Sequence, residues 1–410
     1  MSEITAPQHS NRRATAFILA VVFLDMAGLG LIVPVLPRLI EEVGGIALSE
    51  AVQVGSWLYA SYALAQFLAA PLMGAISDRF GRRPLLLLAL AGLCVDYLLY
   101  ALAPSLAWLF AARITAGICG ATPVIANAYI ADITVPAQRA RAFGWLGAAL
   151  GLGFVMGPAL GGLLGALGPR VPFWVAAGLA GANLIWGFFF LPETLARSKR
   201  RAIVWREANP FGVFAVFRRA KGVTRLIVVL GIYAFGSAVY PAIWPFWGIA
   251  KFGWSEAVIG LSLAAFGLVW AFFQGVLTGP AVAWLGERRA ALLGLTISFV
   301  AAAGYGFAGG IGAVILLLIF HGPEGFAQPT LIAMMSRAVP EEEQGALQGG
   351  IGALESLAML VGTLFFAQVF GYFLTDAAPV QSPDAAYFIA ALVLALACAL
   401  FALNKDKTDG

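Results

Sequence analysis

The chain has 410 residues, 61% hydrophobic and only 11% charged, with 25 basic against 21 acidic side chains and a mean hydropathy of +0.89. A soluble chain this apolar could not cover its surface with polar groups and would expose large sticky patches. Soluble enzymes, nucleic-acid binders and disordered polymers are therefore excluded. Uncharged runs such as Leu85–Leu93 and Ile311–Phe320 recur from end to end. A membrane helix needs roughly 20 mostly apolar residues, so the chain reads as an all-α membrane protein. Hydropathy, glycine and proline punctuation and charge placement predict twelve spans, at 14–37, 51–76, 84–103, 106–131, 141–166, 171–191, 224–249, 256–282, 290–308, 310–335, 346–374 and 385–403. The longest connection, Pro192–Val223, is rich in arginine and lysine. It divides the chain into a six-helix half at 1–191, a basic linker at 192–223 and a second six-helix half at 224–410.

Asn11-Arg12-Arg13 leads straight into the first span, which reads as an uncleaved anchor. With the amino terminus inside, 21 of the 25 basic residues fall on the inner side. Arg38, Arg170 and Lys251 fall outside, and Arg113 lies within the fourth span. That asymmetry predicts two cytoplasmic termini in the inner membrane of a cell. Cys94, Cys119 and Cys398 are odd in number and lack CxxC spacing, so neither a disulfide framework nor a metal site is expected.

The first span carries Asp25 and the third Asp96, carboxylates at depths where an unpaired charge is expensive. Each is either an acid used in function or one satisfied structurally. Between the second and third spans runs GAISDRFGRRP, in which Gly74 and Gly81 frame a charged cluster of Asp78, Arg79, Arg82 and Arg83. Positive-inside topology would need the arginines but neither the acid nor the spaced glycines. Arg113, deep in the fourth span, is expected to face a cavity and a carboxylate. Asp25 is the expected partner. The fifth span reads GFVMGPALGG, where Gly153, Gly157, Gly161 and Gly162 let a neighbouring backbone approach and Pro158 bends the helix.

In the second half, His321 and Glu324 lie one turn apart in the tenth span, and Glu355 sits in the eleventh. Buried ionised acids should line a wet cavity or carry a proton. Gln66, Asn127, Tyr240, Trp270, Gln274, His321 and Gln328 are polar or amphipathic groups within spans and are candidate substrate contacts. A shift of 205 positions superposes Gly81 on Gly286, Gly117 on Gly322, Gly120 on Gly325 and Gly157 on Gly362. Such parallel repeats are a transporter design, with binding at the midplane. No nucleotide-binding loop, metal-ligand spacing or catalytic triad is present in the sequence. The reading is thus a transporter without cofactor or enzymatic activity, whose partners are a small molecule, protons and the bilayer, working as a monomer and binding no nucleic acid.

The loop GAISDRFGRRP resembles the signature of the major facilitator superfamily. The resemblance implies a twelve-helix fold in two pseudo-symmetric halves, with Asp78, Arg82 and Asp132 of AYIADIT forming a cytoplasmic gate. Arg113 followed by glycines is similar to proton-coupled members, and the fifth-span motif to drug/proton antiporters. LDMAGLGLIVPVLP, LCVDYLLYAL, ANAYIADIT and QGALQG together resemble the tetracycline/proton antiporters over nearly the whole chain. The resemblance marks Asp25 and Asp96 as coupling residues and implies efflux of a tetracycline-like compound. It also shows a departure, because that family's ionisable groups in the eighth and ninth helices are replaced by Trp270 and Ser298. Glu324 and Glu355 are the candidates to replace them. Symport or export of a metabolite, and a non-transporting receptor, are the competing readings.

Overall fold

In the computed structural model, described over residues 8–120, 122–135, 138–195, 200, 223–340 and 344–403, twelve helical rods follow one another, with a short helix at Leu36–Gly44 between the first two. They are α1 (Gln8–Ile32), α2 (Leu48–Phe80), α3 (Arg82–Leu102), α4 (Leu106–Cys119 continued by Thr122–Ile133), α5 (Arg139–Gly165) and α6 (Val171–Phe190) in the first half. The second half contains α7 (Thr224–Ser237 continued by Val239–Phe252), α8 (Glu256–Leu285), α9 (Glu287–Phe307), α10 (Ile311–Arg337), α11 (Gln344–Phe373) and α12 (Ala385–Ala402). Ten of the rods meet the length and hydropathy of a membrane span among the described residues. Large apolar side chains point outward, with Phe189 71% and Leu392 72% exposed. Only lipid can cover such a surface, so this is a multi-pass membrane protein. Of the basic residues in the linker, Arg200 alone is among the described residues.

Several spans expected to be continuous are broken or distorted, and prolines stand at three of these places. A proline lacks the N–H that would bond the carbonyl four residues earlier, and its ring clashes with that carbonyl. Pro123 falls four residues after Cys119, where the first piece of α4 ends. Pro241 falls four after Ser237, where the first piece of α7 ends. In α10, Gly322–Phe326 tightens to a 3₁₀ turn around Pro323. Residues Phe273–Leu277 of α8 widen to a π turn.

The chain divides into two compact units. The first comprises 1–45, 61–210 and 256–264, and the second 46–60, 211–255 and 265–410. The first turns of α2 thus belong to the second unit, and the first turns of α8 to the first. In the first unit, Ile18, Val22, Leu90, Ala126, Ile130 and Leu146 form a core. In the second, Val223, Ile227, Leu295, Leu331, Met335 and Ile351 do the same. Each of these second-unit residues lies 205 positions after its first-unit counterpart, so the sequence repeat is a repeat of packing. Gly81 and Gly286 cap α3 and α9 at φ 114° and 78°, a left-handed backbone that glycine adopts without strain.

Within the first unit, α5 lies backbone to backbone on α1. A Cβ at Gly153 would meet the Phe23 carbonyl at 2.7 Å, and one at Gly161 would overlap the Leu31 carbonyl. Gly30 faces Pro158 in the same seam, and Gly162 faces Gly260 at the start of α8. Overpacking a seam of this kind costs about 1–3 kcal/mol. Gly161→Leu is therefore expected to lower the thermal unfolding temperature in detergent clearly. Gly147→Leu on the same helix, where a Cβ meets nothing within 4 Å, should leave it nearly unchanged.

Candidate functional site

Three membrane-buried carboxylates and one arginine define two charged centres, one in each unit. In the first unit, α3 presents Asp96 and α4 presents Arg113, both buried. Arg113 Nη2 donates to Asp96 Oδ2 at 3.0 Å and to Oδ1 at 3.2 Å. Its guanidinium also lies over the rings of Tyr100 at 4.9 Å and Tyr62 at 5.4 Å, contacts that stabilise a desolvated cation. Asp25 of α1 is 6% exposed. Among the described residues its side chain makes no ion pair or hydrogen bond. It lines a small cavity together with Gly28, Tyr62, Asp96, Tyr97 and Arg113. The partner of Arg113 is thus Asp96, in place of the Asp25 expected from the sequence. The reason is tertiary: α3 packs against the first piece of α4 and brings Asp96 to the guanidinium. Gln66 of α2 donates to the Gly120 carbonyl at 3.0 Å, satisfying the acceptor freed by the break in α4.

At the α2–α3 loop, Arg82 organises the charged cluster. It reaches Asp78 at 2.6 Å, Ser77 at 3.0 Å and Asp132 at 3.5 Å, and its backbone N–H donates to Glu193 at 2.9 Å. Arg83 donates to the Phe188 carbonyl, capping the end of α6, and Thr194 donates to Asp132. Arg79 stacks on Phe80. Glu193 is the residue that sequence reasoning missed. It follows the sixth span in an irregular stretch, where no periodicity marks it. A side chain at Gly81 would strike its carboxylate.

In the second unit the 3₁₀ turn of α10 holds Glu324, 5% exposed. Its Oε1 accepts from Tyr233 at 2.8 Å and from Ser237 at 3.2 Å, both on α7. Its Oε2 pairs with His321 Nε2. The other imidazole nitrogen faces the Tyr305 hydroxyl at 3.4 Å, and the rings of Tyr240 and Phe266 flank the imidazole at 4.9 and 5.3 Å. Glu355 is half-buried on α11 and accepts from Gln328 at 2.6 Å. Ser298 is fully buried and donates to its own helix at Leu295. Trp270 and Gln274 are half-buried along α8, and Asn127 is exposed on α4. Tyr233 and Ser237 were not legible as partners of Glu324. A tyrosine and a serine on an apolar helix give no sign of which helix they will face.

The sequence model of the Major Facilitator Superfamily matches residues 18–363 and 226–409. The class C tetracycline resistance protein of Escherichia coli is 42% identical over 365 residues, covering 88% of this chain and 90% of that protein. The class G tetracycline resistance protein of Vibrio anguillarum is 41% identical, covering 87% of this chain and 91% of that protein. Among solved structures, the human organic anion transporter MFSD10 is 25% identical with a TM-score of 0.67, covering 97% of this chain and all of that one.

The Asp96–Arg113 geometry has a stability consequence. Removing one partner of a buried pair strands the other charge and costs about 3–5 kcal/mol, whereas replacing both with apolar groups is often neutral. Arg113→Leu alone should therefore destabilise the protein strongly in thermal unfolding. The double variant Arg113→Leu/Asp96→Leu should recover most of the loss.

Proposed function

The chain belongs to the major facilitator superfamily, and we propose that it is a proton-driven exporter of small amphipathic drugs, tetracyclines first among them. It works as a monomer in a cell's inner membrane with both termini in the cytoplasm. The observation that carries this reading is Asp25, a buried carboxylate with no ion pair or hydrogen bond among the described residues, beside a satisfied Asp96–Arg113 pair. Arg113 keeps its charge at any working pH, and Asp96 neutralises it. Asp25 is left as the acid that can take up a proton without breaking an ion pair. Proton uptake removes a charge from the cavity and biases the equilibrium between access states, and release reverses the bias. Glu324, with His321, and Glu355 are the second-half candidates for coupling. Gln66, Asn127, Tyr240, Trp270, Gln274 and Gln328 are the candidate contacts for a planar, amphipathic cargo. Resemblance to tetracycline resistance proteins over nine-tenths of their length supports the cargo.

Proteoliposomes with an acidic lumen test the exchange directly. The wild type is expected to accumulate tetracycline and to alkalinise the lumen as it does so. Asp25→Asn, which imitates the protonated acid, should lose accumulation while still exchanging labelled for unlabelled drug. Full uphill accumulation by that variant would remove Asp25 from the mechanism.

The Asp78, Arg82, Asp132 and Glu193 cluster is proposed as a lock at the cytoplasmic ends of the first-unit helices. Asp78 is half exposed, and exposed pairs contribute only about 0–1 kcal/mol. Asp78→Asn and Arg82→Ala should each slow transport several-fold while moving the unfolding temperature little. Wild-type rates in both would end the gate assignment.

A further inference from the structure

The first-unit cavity holds a second buried polar group that the coupling scheme leaves idle. Tyr97, next to Asp96 on α3, is 2% exposed and lines the cavity, yet its hydroxyl has no hydrogen-bond partner among the described residues. Burying an unpaired hydroxyl costs about 1–3 kcal/mol, so the hydroxyl is expected to find a partner in some state of the protein. Two carboxylates line the same cavity. Asp96 directs both of its oxygens at Arg113, whereas Asp25 has no partner among the described residues. The hydroxyl also lies against α1 one turn beyond Asp25. A Cβ on Gly28 would overlap the Tyr97 oxygen, so the hydroxyl occupies the space that a side chain at position 28 would fill.

We propose that Tyr97 is the positioning residue for proton exchange at Asp25, its hydroxyl donating across the cavity to the carboxylate when Asp25 is ionised. The inference rests on the reading of Asp25 as the coupling acid. In the protonated state the two groups stand apart. When the proton leaves, the hydroxyl turns to the carboxylate and supplies the hydrogen bond that bulk water would otherwise have to bring in. Gly28 keeps the approach open.

The surroundings of Asp25 leave few competitors for this role. From α3 come Asp96, Tyr97 and Tyr100, the last of these lying against Arg113. From α4 come Arg113, committed to Asp96, and Cys119, whose sulfur rests against Gly92. Tyr62 of α2 also lines the cavity, and its hydroxyl accepts from Gln66. The α5 face presents Gly153 and Gly157 to α1, and α6 presents Trp186 to Phe17, none of which titrates.

A donor to the ionised carboxylate favours the ionised form, so losing it lets the proton stay bound to higher pH. Tyr97→Phe keeps the ring and removes only the hydroxyl. In proteoliposomes, the pH midpoint of tetracycline/proton exchange is expected to rise by about one unit, with KM for the drug little changed. Gly28→Ala, which displaces the hydroxyl without altering it, should move the midpoint in the same direction. Adding Tyr97→Phe to Asp25→Asn should leave the residual drug exchange as it is in Asp25→Asn alone. A wild-type pH profile in Tyr97→Phe, with Asp25→Asn still inactive in uphill transport, would overturn this inference and leave the proposed function standing. Uphill transport by Asp25→Asn would overturn both. A Tyr97→Phe effect confined to unfolding temperature would make the hydroxyl structural and would also overturn the inference.

Discussion

Arg113 stays charged at every pH the protein meets, and it is buried within the span of the bilayer. Water cannot solvate it there, so the protein has to. The solution draws on two neighbouring helices: the Asp96 carboxylate from α3 supplies the counter-charge, while Tyr100 from α3 and Tyr62 from α2 offer ring faces to the guanidinium. Around this fixed pair the rest of the first unit acquires its chemistry. Had Arg113 taken Asp25 instead, the helix 1 acid would be held ionised and each proton cycle would have to break a buried ion pair. With Asp96 in that place, the pair is neutral as a whole, and in the proposed mechanism Asp25 exchanges its proton beside it without breaking that pair.

The same rule governs the backbone. Irregular segments within a membrane persist only where internal groups satisfy the freed carbonyls and amides. The break in α4 is answered by the Gln66 amide on the Gly120 carbonyl. The tightened turn of α10 has its counterpart in α8, whose π turn lies against it, with Gly322 next to Phe273 and Gly325 next to Gln274. Gly117 and Gly120 mark the first break, and Gly322 and Gly325, 205 positions later, mark the second. The glycines keep their place in both halves because they admit a neighbouring helix at the point where the rod is interrupted. In the second half the interruption carries Glu324, and the shorter turn places its carboxylate within reach of His321, Tyr233 and Ser237 together.

Much of this was legible in the sequence because it depends on local pattern. The twelve spans follow from hydropathy, the α1–α5 seam from glycines four apart, and the α2–α3 cluster from a compact run of charges between spans. The choice of partner was not legible. Asp25 and Asp96 both lie at depth, and only the packing of α3 on α4 decides which of them meets Arg113. Tyr62, Tyr97, Tyr100 and Tyr233 carry no mark of their partners in the sequence, since a hydroxyl's role depends on what stands opposite it. Glu193 was hidden for a different reason. It follows the apolar run in an irregular stretch, and only the fold returns it to the start of α3.

The two halves share their packing and differ in their chemistry. Leu90 and Leu295, Ala126 and Leu331, Ile130 and Met335, and Leu146 and Ile351 occupy matching core positions. The charges do not follow that register. The positions matching Asp25, Asp96 and Arg113 hold Leu230, Ala301 and Leu318, while those matching His321 and Glu324 hold Ala116 and Cys119. The conserved pairs fill the cores that a helix repeat requires, and volume and apolarity suffice to specify them. Each charged centre instead needs an arrangement of partners that a single substitution cannot supply, because a lone buried charge is destabilising until its partners exist. A duplicated scaffold would therefore keep its core in register while its charged centres diverged. In this chain the outcome is a half built around the buried Asp96–Arg113 ion pair, with Asp25 lining the same cavity, and a half in which Glu324 is hydrogen-bonded by Tyr233 and Ser237 and paired with His321.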